Sequence, residues 1–364
     1  MNIHCNFIGG NIKVARQTET DVYLENELRD TTEDWFYWAF CVENAQKKTI
    51  TFHFQDNRLG YFGPAISYDL NKWYWLNDKG SNEFTYTFGE DESKVYFAHS
   101  MLYHPERFLD FAKSKGLVVS EFCKSNKGRS VPCAMKGDGV KSIILTARHH
   151  ACESTGNYVL EGVLRELIKN PIANTKILCV PFMDYDGVID GDQGKSRIPW
   201  DHNRDYDKNK ESIYSETKKM KEYVVENGCN YGFDFHSPWH LGKENDMAFI
   251  VQNSFEKLDR LNAFGELFEK EITSNSFRYR HANDYPFKTG WNKGSTQFAN
   301  YVKTREENEI AFTLETAYFG SQDNVITQET MIELGKCFAR ALKKYIEDKE
   351  GKIPLNNLSD EENR

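Results

Sequence analysis

Two residues of types that bind metal ions stand three positions apart near the middle of the chain. His150 and Glu153 form the pattern H-x-x-E, where an apolar run that predicts a strand gives way to a helical period behind Ser154, a candidate N-cap. On such a turn, this spacing lets an imidazole and a carboxylate converge on one ion, as a zinc site with an open fourth position requires. The neighbouring His149 cannot point in the same direction as His150. It is predicted to pack in the core or to support a metal ligand from behind. Taken alone, the pattern more often reflects a capping glutamate beside an ordinary histidine.

A third ligand is expected from the end of another strand. His236 directly follows the apolar segment 233–235 and would lie at the carboxyl edge of an open α/β sheet, where sites assemble. His240 is a competing candidate, but a proline-tryptophan step carries it away from the strand end. A lone histidine at either position is more often part of the core, so convergence with the H-x-x-E pair is what would make it a ligand.

A glycine-containing loop and one strand carry the remaining polar candidates. Asn203 and Arg204 place an amide beside a guanidinium, a pair that can bind a free carboxylate in bidentate geometry. Alone, they would be solvated loop residues. Glu315 lies inside the apolar segment 311–316, and burying its carboxylate is costly unless it has a partner or a chemical task. The strand glutamate is therefore the more suggestive feature.

The elements that would position these residues fall into two parts. Residues 1–104 form short aromatic and β-branched segments between turn residues, which is typical of an antiparallel β-sandwich domain. Residues 105–348 alternate apolar runs with helical periods, which predicts an α/β domain with a mixed, mainly parallel sheet flanked by helices. Residues 349–364 are polar and predict a frayed tail.

Composition excludes several classes of protein. Lys and Arg number 46 against 55 Asp and Glu, a net charge of −9, so a basic nucleic-acid surface is not expected. No window approaches the ~20 apolar residues of a membrane span, and the first residues do not resemble a signal peptide. The eight cysteines are scattered without a C-x-x-C pair and are predicted to be reduced thiols. We therefore expect a cytoplasmic protein that binds neither nucleic acid nor membranes.

Five short motifs occur in order along the chain. They read Ala-Arg-His-His-Ala-Cys-Glu, Asp-Gly-Val, Asp-His-Asn-Arg, Asp-Phe-His and Thr-Leu-Glu-Thr, at 147–153, 186–188, 201–204, 234–236 and 313–316. Together they resemble the zinc metallocarboxypeptidases of the carboxypeptidase A type. The similarity is greatest to the cytosolic carboxypeptidase-like branch, which places a small β-sandwich before the catalytic domain. The resemblance covers nearly the whole chain.

The resemblance implies a catalytic role for several matching residues. His150, Glu153 and His236 would hold one Zn²⁺, with water in the open position, and Asp201 would orient His150. The resemblance also implies that Glu315 is the general base and acid. Such a carboxylate can take a proton from the water and return it to the leaving amine.

The resemblance further implies how substrate is bound. Asn203 and Arg204 would bind the terminal carboxylate of a peptide or peptide-like substrate. A further cation near the metal would stabilise the tetrahedral oxyanion. Arg197 is the first candidate for this catalytic cation, and Lys195 competes with it.

Two stretches depart from the family pattern. Where the digestive members have a mobile tyrosine before a small Gly-Ser or Gly-Thr step, this chain has Lys293. Where the deglutamylating branch has an arginine that would read an acidic side chain, this chain has Gln297 and Phe298. The resemblance therefore leaves the preference for a glutamate side chain open.

Three functions are compatible with the sequence. The leading hypothesis is a zinc-dependent carboxypeptidase, a hydrolase that removes the C-terminal residue of a peptide or peptide-like conjugate. A deacylase or amidase acting on N-acyl amino acids could use the same amide and guanidinium pair. A catalytically silent peptide-binding or sugar-binding protein, acting through the aromatic run 73–75, would have no need of Glu315.

Overall fold

The N-terminal part of the chain folds into two facing β-sheets. The computed structural model describes residues 1–33, 35–56, 58–78, 82–294 and 296–351. The strands of this part are β1 (Asn2–His4), β2 (Lys13–Gln17), β3 (Asp21–Glu25), β4 (Ala39–Glu43), β5 (Thr49–Phe54), β6 (Ala65–Ser67), β7 (Tyr74–Trp75), β8 (Glu83–Thr87) and β9 (Lys94–Ala98). One sheet has the order β1-β4-β9-β6-β7 and the other β2-β3-β5-β8.

The two sheets bury an aromatic core between them. Alternate residues of β5 are buried and accessible, as expected for a strand with one face on a core. Phe52 stacks on Phe84 with ring centroids 4.9 Å apart, and Phe97 lies 5.3 Å from Phe40. The predicted sandwich is confirmed, with a parallel pairing of β3 with β5 that the strand pattern did not indicate.

The rest of the chain forms a mixed α/β unit. Its strands are β10 (Val118–Lys124), β11 (Ser130–Lys136), β12 (Lys141–Ala147), β13 (Thr175–Val180), β14 (Tyr231–His236), β15 (Phe249–Val251), β16 (Ile310–Glu315), β17 (Gly320–Ser321) and β18 (Asn324–Val325). Its helices are α1 (Pro105–Ser114), α2 (Thr155–Lys169), α3 (Tyr185–Asp190), α4 (Ser215–Asn227), α5 (Leu258–Glu271), α6 (Phe298–Val302) and α7 (Gln328–Gly351). The main sheet has the order β10-β11-β13-β12-β14-β16-β15.

The central strands of this sheet, β13, β12, β14 and β16, run parallel, while β10, β11 and β15 pair antiparallel at its two sides. The predicted mixed sheet is confirmed. Ala147 lies beside Phe235 across β12 and β14, and His236 lies beside Glu315 across β14 and β16. The carboxyl ends of three strands therefore meet at one edge.

Helices α2 and α7 pack closely against each other. A Cβ atom at Gly162 would lie 2.0 Å from the Ile332 carbonyl oxygen, and one at Gly335 would lie 2.0 Å from the Val159 carbonyl oxygen. Both positions therefore require glycine. At the start of α2, Ser154 occupies the N-cap position without a side-chain capping bond, which corrects the expected capping role.

The aromatic run 73–75 belongs to the contact between the two parts of the chain. The Trp73 backbone N–H donates to Gln328 Oε1 at 3.1 Å, and Trp75 Nε1 donates to the Ile326 carbonyl oxygen at 2.7 Å. The Trp75 ring also lies edge-on to Phe319. Residues 73–75 therefore pack in the interface between the two parts of the chain.

The predicted domain boundary at residues 104 and 105 falls between β9 and α1 and stays a prediction. Residues 349–351 of the predicted tail belong to α7, and 352–364 lie outside the described residues. Within the described ranges, no helix is both long and apolar enough to cross a lipid bilayer.

Candidate metal centre and active site

A buried arginine shapes the turn that presents the H-x-x-E pair. Arg148 follows β12 with a φ of 60° and is 3% exposed. Its guanidinium donates to the Ala151 carbonyl oxygen at 2.6 Å and to Ser154 Oγ at 2.9 Å. The hydroxyl that does not cap α2 is thus an acceptor for this arginine. The bonds fold the turn so that His150 and Glu153 face the same side.

Three predicted ligands converge at the sheet edge. His150 Nδ1 lies 2.8 Å from Glu153 Oε1, and His236 Nδ1 lies 2.7 Å from Glu153 Oε2. All three residues are 9% exposed or less, and one ligand atom of each lies within 4.8 Å of the others. Glu153 uses both of its carboxylate oxygens in these contacts and is fully buried. Two imidazoles and a carboxylate in this arrangement fit the donor set of a catalytic zinc site.

A carboxylate lies behind each of the two histidines. Asp234 Oδ2 lies 2.6 Å from His236 Nε2, which leaves His236 Nδ1 to face Glu153. Asp201 Oδ1 lies 3.6 Å from His150 Nε2, in the position expected of an orienting carboxylate. Carboxylates placed in this way set the tautomer of ligating histidines. Asp234 was not among the predicted site residues, although its i, i+2 spacing from His236 places both side chains on one face of β14.

His149 and His240 lie outside the group formed by His150, Glu153 and His236. His149 Nδ1 contacts Asp234 Oδ1 at 2.9 Å, and its Nε2 contacts the Tyr206 hydroxyl at 2.7 Å, so both ring nitrogens are engaged. His149, Asp234 and His236 form a second group of potential donors. His240 stacks on Phe36 with ring centroids 4.8 Å apart and belongs to neither group.

Glu315 lies at the end of β16, beside His236 of β14. It is 8% exposed, and its Oε2 atom has no hydrogen bond with the described residues. Burial raises the pKa of this carboxyl to about 7, because removal from water penalises the charged form. A carboxylate with such a pKa suits reversible proton transfer near neutral pH.

A single cavity of about 600 Å³ connects these groups. Asn203 and Arg204 line it from a 3₁₀ turn, and Trp239 and Trp291 lie at its rim with 42% and 51% of their surface exposed. Lys293 is not among its described lining residues, which include Trp291 instead. The cavity therefore brings the donor cluster, Glu315 and the predicted carboxylate anchor together.

The structure corrects the expected position of the catalytic cation. Arg197 is bound by three carboxylates, with Asp30 at 2.6 Å and Asp184 and Asp192 each at 2.9 Å, and it does not line the cavity. These three ion pairs neutralise the positive charge of Arg197. Lys195, the competing candidate, lines the cavity.

Lys195 is held directly beside the donor cluster. Its Nζ lies 2.6 Å from Glu153 Oε1 and donates to the carbonyl oxygens of Ser237 and Pro238 at 3.1 and 3.0 Å. Burial opposes its charge, but the Glu153 carboxylate holds the pKa of this ammonium above its usual value. Lys195 is therefore a cation at the cavity wall.

Solved structures share this architecture. The metallo-carboxypeptidase of Burkholderia cenocepacia matches with a TM-score of 0.79 at 18% identity, over 96% of this chain and 99% of the other. The metallo-carboxypeptidase of Pseudomonas aeruginosa, in complex with (2-guanidinoethylmercapto)succinic acid, matches with a TM-score of 0.77 at 19% identity, over 96% of this chain and 100% of the other. The chain has the metallocarboxypeptidase fold.

The chain also matches curated relatives in sequence. The chain is 25% identical over 351 residues to an uncharacterised protein of Zymomonas mobilis, with 89% of each chain covered. It is 23% identical over 351 residues to cytosolic carboxypeptidase 2 of Xenopus tropicalis, covering 87% of this chain and 35% of that protein. No family model matches the chain. The predicted resemblance to the metallocarboxypeptidases and their cytosolic branch is confirmed.

In this metallocarboxypeptidase fold, the N-terminal sandwich reaches into the site region through Asp30. Its carboxylate accepts hydrogen bonds from the Gly194 backbone N–H at 2.9 Å and from Arg197 Nε at 2.6 Å. Gly194 has a φ of +79°, and a Cβ there would lie 2.3 Å from the Ala151 backbone nitrogen. Asp30 therefore fixes the loop on both sides of Lys195.

Replacing Asp30 by Asn should loosen that loop. The variant loses the ion pair with Arg197, and removing a partner from a buried charge costs roughly 1–3 kcal/mol of unfolding free energy. We expect kcat to fall about tenfold, the equivalent of about 1.4 kcal/mol, with zinc content unchanged and KM little altered. Steady-state kinetics, metal analysis and thermal unfolding measure these quantities.

Asp110→Asn, at an exposed position on α1, is the matched control and should change none of them. A kcat for Asp30→Asn equal to that of the unaltered protein would show that Asp30 supports only the fold.

Proposed function

We propose that this protein is a zinc-dependent metallocarboxypeptidase that hydrolyses the C-terminal amide bond of a peptide or peptide-like substrate. The observation that carries the proposal is Glu315: this buried glutamate, whose Oε2 has no hydrogen-bond partner among the described residues, lines the same cavity as His150, Glu153 and Arg204. A protein that only bound peptides or sugars would gain nothing from the cost of burying that group.

One zinc ion would be held by His150, Glu153 and His236. The fit rests on two imidazole nitrogens and one carboxylate oxygen that lie within 4.8 Å of one another. A zinc ion bound there would lower the pKa of a water molecule towards ~7 and polarise the scissile carbonyl.

The protein's own groups would handle the proton and the developing charge. Glu315 accepts the proton of the attacking water and returns it to the leaving amine. Lys195, whose Nζ already faces Glu153 and the carbonyl oxygens of Ser237 and Pro238, stabilises the carbonyl oxygen by its positive charge as that oxygen becomes an oxyanion. The sequence alone had left this role open between Lys195 and Arg197, and the ion pairs of Arg197 favour Lys195.

Arg204 and Asn203 would bind the terminal carboxylate. Arg204 is exposed, and its only side-chain hydrogen bond with the described residues goes to the Asn203 carbonyl oxygen at 3.3 Å. The guanidinium therefore has donors left for an incoming carboxylate, to which it can bind in a bidentate manner.

The eight cysteines support a reducing compartment as the place of action. All eight are free thiols, and six of them are buried. Exported proteins more often use cysteines as disulfides. We therefore assign the enzyme to the cytoplasm.

Amidating the C-terminus of a good substrate should lower kcat/KM by about 10²-fold or more. Amidation removes the charge that Arg204 recognises and leaves the guanidinium without its counterion, and interactions of this kind separate substrates by large factors. Paired peptides that differ only in a free or amidated C-terminus, assayed by mass spectrometry, test the proposal.

Arg204→Ala should reduce turnover of the free acid and narrow its advantage over the amide. Arg305→Ala, outside the cavity, is the control and should leave the ratio unchanged. Equal turnover of acid and amide by the unaltered enzyme would rule out exopeptidase action and favour an amidase.

A further inference from the structure

One wall of the cavity runs along β15 and β16, away from the donor cluster. Thr313 lies two residues before Glu315 on β16, so the two side chains share a face about 7 Å apart. Val251 of β15 pairs with Thr313, and Asn253 follows two residues later. All of them line the cavity. The wall therefore leads from Glu315 to Asn253.

The amide of Asn253 presents its oxygen and not its hydrogens. Asn253 is 5% exposed, and its Nδ2 donates to the backbone carbonyl oxygens of Ala299 and Ala311 at 3.3 and 2.8 Å. Two carbonyl acceptors fix the direction of the amide, because only the NH₂ group can donate to them. Asn253 Oδ1 is left as an acceptor.

Two further asparagines on this wall repeat the arrangement. Asn292 is 3% exposed, and its Nδ2 donates to two backbone carbonyl oxygens at 2.7 and 3.0 Å. Asn300 Nδ2 donates to the Gly294 carbonyl oxygen and to Gln297 Oε1. Asn300 Oδ1 is buried and has no hydrogen-bond partner in the described ranges. Three amides whose NH₂ groups are already hydrogen-bonded thus line one side of the cavity.

The charges around the cavity disfavour a second carboxylate on the substrate. Five acidic residues line it, and its Lys and Arg side chains in the described chain are Lys195 and Arg204. Lys195 is paired with Glu153, and Arg204 is the proposed anchor of the terminal carboxylate. Lys303 approaches Asn253, but its ammonium binds the Asn253 backbone oxygen and it does not line the cavity. A carboxylate side chain would find no free cation.

We infer, on the basis of the proposed function, that this wall selects a C-terminal residue whose side chain donates N–H hydrogen bonds, as an amide or an ammonium, and rejects a carboxylate. Asn253, Asn292 and Asn300 are the specificity residues. The three asparagine oxygens stay unpaired when the bound side chain cannot donate, and they face electrostatic repulsion when that side chain is an anion.

The test uses the zinc-loaded enzyme and peptides identical except for the last residue, which is Gln, Lys, Glu or Leu. Gln and Glu have nearly the same shape, so they separate donation and charge from size. We expect kcat/KM for Gln to exceed that for Glu by at least about tenfold and that for Leu by a smaller factor. Comparing kcat/KM for the Lys and Gln peptides shows whether an ammonium or an amide is the preferred donor.

Binding of the same peptides to Glu315→Gln, measured by calorimetry, supplies the ranking independently of turnover. Peptides that bind in the expected order without being cleaved by the unaltered enzyme would contradict the proposed function and support the selectivity. Glu bound or cleaved as well as Gln, or Leu preferred over both Gln and Lys, would overturn the inference.

Asn300→Asp places a negative charge on the wall and should raise the preference for Lys over Gln severalfold. Asn209→Asp makes the same chemical change at an exposed position outside the cavity and should leave that preference unchanged. Thermal unfolding shows whether Asn300→Asp is folded. If it is not, the order of kcat/KM for the four peptides on the unaltered enzyme still tests the inference.

Discussion

Glu315→Gln should retain one zinc ion per chain while kcat falls by at least ~10²-fold, the scale of general acid–base catalysis. The amide keeps the size of the side chain but cannot accept the proton of the attacking water. The donor cluster of His150, Glu153 and His236 does not include Glu315, so metal binding should persist. Metal analysis and steady-state kinetics on the same preparation measure both quantities.

Glu226→Gln is the matched control for this experiment, because Glu226 is exposed on α4 and does not line the cavity. It should behave like the unaltered enzyme. Loss of zinc from Glu315→Gln would reassign Glu315 as a ligand, and full activity with zinc bound would remove it from the reaction.

Removing the metal should abolish peptide hydrolysis, and adding one equivalent of zinc should restore it. A Lewis acid at the carbonyl supplies several kcal/mol of transition-state stabilisation, so we expect a loss on the order of 10³-fold or more. Dialysis against a chelator, followed by titration with zinc and assay of kcat/KM, measures the effect and the stoichiometry.

His236→Ala should reproduce the loss by weakening zinc binding. His236 is 1% exposed and faces Glu153, so the variant removes one of the three converging donors. His53→Ala, on the N-terminal sandwich, removes a histidine that belongs to no donor group and should keep one zinc ion. Stoichiometric zinc in His236→Ala, or full activity in the metal-free enzyme, would refute this prediction.

Local spacing in the sequence predicted the elements of the fold and the grouping of the metal donors. His150 and Glu153 lie on one turn, and their three-residue spacing allows both side chains to face the same side. His236 directly ends an apolar run, and the ends of parallel strands share an edge of the sheet. The structure brings these three residues together, while their roles stay predictions.

Tertiary structure alone decided which cation faces the cavity. Lys195 and Arg197 stand two residues apart in a loop without periodicity, where Gly194 and Ser196 have positive φ values, so the sequence pattern does not set the direction of either side chain. Arg197 turns to Asp30, which is 167 residues away in the chain, and Lys195 is left at the cavity wall.

The orientation of the cavity amides was likewise a tertiary property. An asparagine can present either its oxygen or its hydrogens. The backbone carbonyls of Ala299 and Ala311 determine which end Asn253 presents, and they reach it from other elements of the fold. Sequence determined the residue types at the site, and long-range hydrogen bonds determined what those residues present to a substrate.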